Sequence, residues 1–217
     1  LFGIEFYPKQ AQDGELVKFI EKELTEVQAD LPKTYPAEVW GGRATSYAAA
    51  AVLGKFYMFQ HELSKAEKEF EKLIGNFELM ENYADNFNGL HKNNSESVFE
   101  LQFTGNMTGG HREYNLFAVH LAPFSAYDGG YEEAYPSNWL FDVMKTDKTT
   151  EGKYSIRTLS TIIFDDPDCR PSYYEKGKSF SDYHESGQFF WHKYVTWDPS
   201  LSADWYYSGY NIPLIRY

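Results

Sequence analysis

Two short spacings limit what this chain can fold into: Leu53-Gly54-x-x-Tyr57, followed by Ala66-x-x-x-Phe70. Both lie in helix-forming sequence, and five alanines fall within residues 42–58. Alanine is the best helix former and projects least from a helix surface, so an alanine-rich face marks where something bulky comes close. The small residues at 54 and 66 let two antiparallel helices approach, while Tyr57 and Phe70 fill the gap between them.

These are the spacings of a tetratricopeptide repeat, with Ala50 where Trp is usual and Leu73 where a small residue is usual. They predict a helical hairpin over 45–75. One repeat cannot bury its own faces, so further helices must stack on it, at the alanines. Thr45 is the expected cap of the first helix, with Ala48, Ala49, Val52, Leu53 and Phe56 on one side. Ser64-Lys65-Ala66-Glu67 has the form of a capping box for the second, whose core face is Ala66, Phe70, Leu73 and Ile74 and whose stop is Gly75. An earlier helix is expected from a cap at Asp13, with Leu16, Val17, Ile20, Leu24 and Val27 at the 3.6-residue period, ending at Leu31-Pro32.

Beyond residue 75 the period fades. In SVFELQF, Phe99, Leu101 and Phe103 alternate against Glu100 and Gln102, which predicts a half-buried strand with the apolar residues inward. Residues 104–135 read as a long glycine- and aromatic-rich loop. Ser137 caps a short helix with Leu140, Phe141, Val143 and Met144 inward, residues 160–164 form a second short strand, and loops dominate from 165 onward. The fold class is thus mostly α, with short β-strands and long loops.

Composition narrows the chemistry. The net charge of −12, from 20 basic and 32 acidic residues, disfavours nucleic acid and acidic membrane surfaces, whereas a neutral ligand feels little of it. Cys169 is the one cysteine, so neither an internal disulfide nor a cysteine zinc site is possible. No apolar run approaches the roughly 20 residues that span a bilayer. No phosphate loop, metalloprotease helix or nucleophile elbow is present, so no catalytic residue, cofactor or metal is expected. Asp165-Asp166-Pro167-Asp168 reads either as a turn or as a set of hard oxygens for calcium. Asn93-Asn94-Ser95 and Asn106-Met107-Thr108 match a glycosylation triplet. Aromatic residues stand out: 18 Tyr, 17 Phe and 5 Trp, many in polar, Gly-rich stretches where flat rings with polar tips suit sugar faces.

The order of several motifs adds a family. Gly42-Arg43-Ala44-Thr45 leads into the alanine helix, and Lys65-Ala66 opens the next. Then follow Asn82-Tyr83-Ala84-Asp85-Asn86-Phe87, Asn94-Ser95-Glu96-Ser97-Val98-Phe99-Glu100, a Gly-rich loop and Pro136-Ser137. Arg157 before Thr161–Phe164, Lys193-Tyr194 and Asn211–Tyr217 close the series. This order resembles the SusD/RagB family of outer-membrane nutrient-binding lipoproteins, although Ser155-Ile156 precede Arg157 where Asp-Pro is frequent. The resemblance implies a single SusD-like domain fragment over 1–217, with a helical repeat part at 13–75 and a loop-rich ligand-binding part at 76–217. It implies that the N-terminal lipid anchor and the C-terminal end are missing, Arg216-Tyr217 being the start of another repeat helix.

The implied function is non-enzymatic capture of glycans at the cell surface, for delivery to a SusC-like TonB-dependent transporter of the outer membrane. A peptide-binding RagB-like role and a tetratricopeptide scaffold for protein partners are the alternatives. The candidate ligand residues are Tyr127, Tyr131, Trp139, Trp205 and Tyr206 for stacking, with Asn106 and His111 for hydrogen bonds. They come from the irregular stretches 106–139 and 197–210.

Overall fold

The computed structural model describes residues 9–36, 42–104, 115–124, 126, 129–171, 174–195, 202–204 and 207–217. The chain forms two compact units, Leu1–Phe77 with Tyr217, and Glu78–Arg216.

In the first unit α1 (Glu15–Asp30), α2 (Ser46–Phe59) and α3 (Leu63–Glu71) pack together, α2 touching both of the others. Thr45 caps α2 as expected, its side chain accepting from the Ala48 N–H at 3.1 Å. Gly54 lies directly against Phe70: a Cβ added there would stand 2.7 Å from the ring. Leu53, Tyr57 and Ala66 form the small core, with Leu24, Phe56 and Phe70 around it. Ala48, Ala49, Ala50 and Ala51 are all buried. Polar clamps replace deep burial on α1, which has no buried residue. Glu21 Oε1 accepts from Tyr57 Oη at 2.8 Å and from Lys65 Nζ at 3.2 Å. Those two bonds, Tyr57's first, hold the Glu21 carboxyl below its usual range, while burial and then Glu21 raise Tyr57 to about 12.

Several expectations about this unit need correction. Asp13 does not cap α1: Gly14 occupies that position with φ 77°, and no side chain caps the helix. α3 starts at Leu63, before Ser64, because the Lys65 and Ala66 N–H groups already donate to the Glu62 carbonyl. The Ser64 capping box is therefore not formed. Leu16, Val52 and Ile74 are exposed rather than inward. The helix does stop at Asp30, ahead of Pro32, and Gly75 takes the left-handed conformation that ends the turns after α3.

The second unit holds β1 (Ser97–Leu101), α4 (Phe117–Leu121), α5 (Asn138–Thr146), α6 (Ile156–Thr161), β2 (Ile162–Ile163), β3 (Phe190–Trp191), β4 (Ser202–Asp204), β5 (Tyr207–Ser208) and β6 (Ile212–Arg216). The strands pair antiparallel as β1–β6, β2–β3 and β4–β5. Ile162, Ile163, Phe164, Cys169, Phe180, Phe190 and Val195 centre its core, against Leu140, Phe141 and Met144 of α5. Ser137 caps α5, accepting from the Leu140 N–H at 3.1 Å. Val143, expected inward, is exposed. The strand expected at 160–164 is confined to Ile162–Ile163, since Ser160 and Thr161 close α6. The Asp165–Asp168 stretch is a turn in which Asp166 Oδ1 accepts from the Asp168 N–H at 2.9 Å.

Strand β1 inverts its expected faces. Val98 and Glu100 are buried, and Leu101 is exposed. Register shifts lie between Ser97 and Phe99, where β1 carries the extra residue, and between Phe99 and Glu100, where β6 carries it, so the two offset each other. Glu100 tolerates burial because its Oε2 accepts from the Asn93 N–H at 3.0 Å and from Asn211 Nδ2 at 2.8 Å. Residues 212–216 pair with β1 as a strand, so Arg216 does not open a helix. Pro213 fits because every strand of a two-stranded sheet is an edge.

Several of the sequence motifs in this unit converge on Phe87, which is 1% exposed. Its ring meets Tyr83 at 5.0 Å and Tyr194 at 5.6 Å, and it lies under Lys193 Nζ at 3.6 Å and the Arg216 guanidinium at 4.8 Å. Arg216 Nη1 donates to Glu96 Oε1 at 2.8 Å, and Glu96 Oε2 accepts from the Met80 N–H and Asn86 Nδ2. Burial, and then Arg216, lower Lys193 to about 8.

Candidate functional site

Phe117 to Leu121 form a single helical turn where a structureless loop is expected. The turn begins at Asn115, whose Oδ1 accepts from the Phe117 N–H at 3.1 Å and whose Nδ2 donates to the Tyr210 carbonyl. Its C-terminal carbonyls are covered by the strap 129–135. The Tyr131 N–H donates to Val119 O at 2.8 Å, Glu133 N–H to His120 O at 3.0 Å, and Glu132 N–H to Ala122 O at 3.2 Å. Gly130 makes this approach possible, since a Cβ there would stand 2.0 Å from the Ala122 carbonyl oxygen.

Between this helix-and-strap pair and the β1–β6 sheet lies a hollow of about 520 Å³. Phe103, Asn115, Leu116, Phe117, His120, Leu121, Glu133, Ala134 and Ile212 line it. The sheet side is fixed by Asn211, whose Oδ1 accepts from the Phe103 N–H at 2.9 Å while its Nδ2 holds Glu100 and Gln102. Volume and lining are those of a small-molecule site: mostly apolar and aromatic, with few polar groups.

Asn115 spends its side chain on Phe117 and Tyr210, which leaves His120 and Glu133 as the polar lining. His120 Nδ1 lies 2.6 Å from Glu133 Oε2, an ion-pair distance, but its angle does not meet hydrogen-bond geometry. Among the described lining residues there is no Lys or Arg, and Glu133 is the one carboxylate. The described residues contain no group of three metal-ligating side chains.

Of the seven residues expected to hold ligand, two are described. Tyr131 stands beside the hollow, its ring edge-on to His120 with centroids 5.9 Å apart. Trp139 is 73% exposed in the first turn of α5 and does not line the hollow. Asn106, His111, Tyr127, Trp205 and Tyr206 lie outside the described residues. Phe103, Asn115, Phe117, His120 and Glu133 are additions. The one sequence signal for them is Asn115 ahead of Leu116-Phe117, an Asx start to a helix. Phe117, Phe124 and Tyr135 are also exposed. Glu132 ties the last two together, accepting from the Phe124 N–H and from Tyr135 Oη, both at 2.8 Å.

No family profile and no curated protein sequence matches the chain. Solved structures do. A SusD superfamily protein from Bacteroides vulgatus ATCC 8482 superposes with a TM-score of 0.73 at 25% identity, over 91% of this chain and 41% of that one. A laminarin-binding SusD-like protein gives a TM-score of 0.71 at 22% identity, over 95% of this chain and 48% of the other. The surface glycan-binding protein A from Bacteroides thetaiotaomicron, in complex with laminarihexaose, gives 0.72 at 19%, over 96% and 48%. The chain spans less than half the length of each. At these identities the likeness is one of fold.

Proposed function

We propose, with the SusD-like fold of this chain as the premise, that the protein binds a glycan at the cell surface and passes it on chemically unchanged. The observation that carries this reading is the hollow beside Tyr131, with apolar and aromatic walls and sparse polar groups. The C–H faces of a sugar ring pack on such walls while its hydroxyls keep partners at the open side. Two of the similar structures are named for laminarin or laminarihexaose, so a neutral glucan is the first ligand to try.

The remaining parts of the reading rest on the motif series. A lipid anchor holds the protein at the outer membrane, a SusC-like TonB-dependent transporter receives the glycan, and the hairpin of α2 and α3 serves as a tetratricopeptide-type scaffold. Residues 13–75 form the helical part and 76–217 the ligand-binding part. Tyr131 is the stacking residue proposed beside the hollow, and Tyr127, Trp205, Tyr206, Asn106 and His111 complete the proposed contacts, with Trp139 an exposed contact outside the hollow.

Affinity electrophoresis against a polysaccharide panel that includes laminarin, beside a reducing-sugar assay, tests the binding step. Retardation without sugar release is expected, and the double variant Phe117→Ala/Tyr131→Ala should lose it with unchanged far-UV circular dichroism. Release of reducing sugar, or no retardation by any polysaccharide, overturns the reading. Extraction in mild detergent should bring down a barrel-sized companion, and purification without one would remove the transporter from it.

A further inference from the structure

The charge on the lining says which glycans the hollow admits. Glu133 presents the one formal charge fixed in sign on the described lining, and its side chain is 57% exposed. The ionisable nitrogen nearest to it, His120 Nδ1, already faces that carboxylate at 2.6 Å. Glu132, next on the same strap, is not a lining residue; its carboxylate is held by Phe124 and Tyr135. No lysine or arginine among the described lining residues offsets Glu133, and the whole chain carries −12.

We infer that Glu133 is a specificity-determining residue that restricts the hollow to neutral glycans and rejects uronic or sulfated ones. This rests on the glycan-binding reading above. A site discriminates by the groups it sets against the wrong ligand as well as by those it offers the right one. A carboxylate or sulfate entering the hollow meets a like charge, with no lysine or arginine among the described lining residues to receive it. A hydroxyl entering the same place gains an acceptor. At a separation of about 6 Å, between bulk-water and partly desolvated screening, such a like charge lowers affinity by on the order of tenfold.

The test compares laminarin with carboxymethylated laminarin, which share a backbone and differ in charge. Affinity is measured for both with the wild type and with Glu133→Gln, and the quantity read is the ratio of the two affinities. The wild type should favour laminarin, and Glu133→Gln should shift the ratio toward the carboxymethylated glucan by about tenfold. Raising ionic strength from about 0.02 to 0.5 M should narrow the wild-type preference, since the screening length falls below the charge separation. An unshifted ratio in a correctly folded Glu133→Gln overturns the inference while leaving glycan binding in place. If that variant does not fold, a salt-independent wild-type ratio overturns it instead. Failure of the wild type to bind laminarin or any other polysaccharide removes the glycan reading itself, and this inference with it.

Discussion

Replacing Gly130 by alanine sets the strap against the helix it covers. The new Cβ would stand 2.0 Å from the Ala122 oxygen, 2.4 Å from its carbonyl carbon and 2.7 Å from its Cβ. Two of these are backbone atoms, so no rotamer change relieves the clash, and the carbonyl must retreat by more than an ångström. If the strap stays seated, the cost is that of an overpacked interior, about 1–3 kcal/mol. If it lifts instead, it gives up the bonds from Tyr131, Glu132 and Glu133 to the turn below, at about 0.5–1.5 kcal/mol each. The cheaper route sets the outcome, so a loss of about 2 kcal/mol is expected in urea unfolding. Glycan retention should fall as well, because the strap carries Tyr131 and Glu133. Gly152→Ala is the control: its φ of 80° imposes backbone strain, but nothing lies within 4 Å of the added carbon. It should cost about 1–2 kcal/mol and leave retention intact. An unchanged unfolding midpoint with full retention in Gly130→Ala would refute the packing argument.

Other expectations follow from the same contacts. Ala49→Leu places a large side chain at a 6% exposed position on α2 and should cost about 1–3 kcal/mol, read as a lower unfolding midpoint. Asn211→Ala removes a donor from buried Glu100 and the acceptor of the Phe103 N–H, for a loss of about 2–4 kcal/mol. Asn211→Asp should be worse, since it sets a second carboxylate against Glu100 in place of its donor, and equal stability of the two variants would contradict this. Burial lowers both His184 and His192 to about 4, opposed by Glu132 for the first and by the Leu159 carbonyl for the second. The folded state therefore keeps these rings neutral while the unfolded chain takes up protons from about pH 6.5 downward. Stability should fall as pH drops from about 6.5 to about 4, by up to roughly 3 kcal/mol for a fully buried ring, and a thermal melt that is flat across that window would contradict this.

Local rules made part of this fold legible. Thr45 and Ser137 cap the helices they precede because a hydroxyl at that position has orphan N–H groups to satisfy, whatever the tertiary context. Gly54 against Phe70 follows from one repeat spacing. Two caps failed locally, at Asp13 and Ser64, because each helix starts beside rather than at the expected residue, and the rest was decided across long separations. The burial of Glu100 in β1 depends on Asn211, more than 100 residues away, and alternation alone assigns Glu100 to solvent. The hollow is harder still to read, because its lining comes from one short helix, a strap without regular structure and the end of each strand of a two-stranded sheet. The aromatic-rich stretch 106–139 does contain Phe117, His120, Tyr131 and Glu133. Composition located the neighbourhood but gave no way to tell a lining residue from an exposed one such as Trp139.

The pairing of β1 with β6 also orders events in time. Contacts across it join residues 108 to 120 positions apart, as in Phe103 to Asn211 and Glu96 to Arg216. Closing so long a loop carries an entropic cost that must be met before the contacts reward it, and high contact order slows folding. The hairpin of α2 and α3 needs only neighbours in sequence and can form as soon as it is synthesised. The hollow cannot, because Phe103 and Ile212 come together only once β6 has emerged, more than 100 residues after β1. Pulse-labelled amide exchange should accordingly protect α2 and α3 first and the N–H of Phe103, which donates to Asn211, last, so that the capacity to bind appears in one late step.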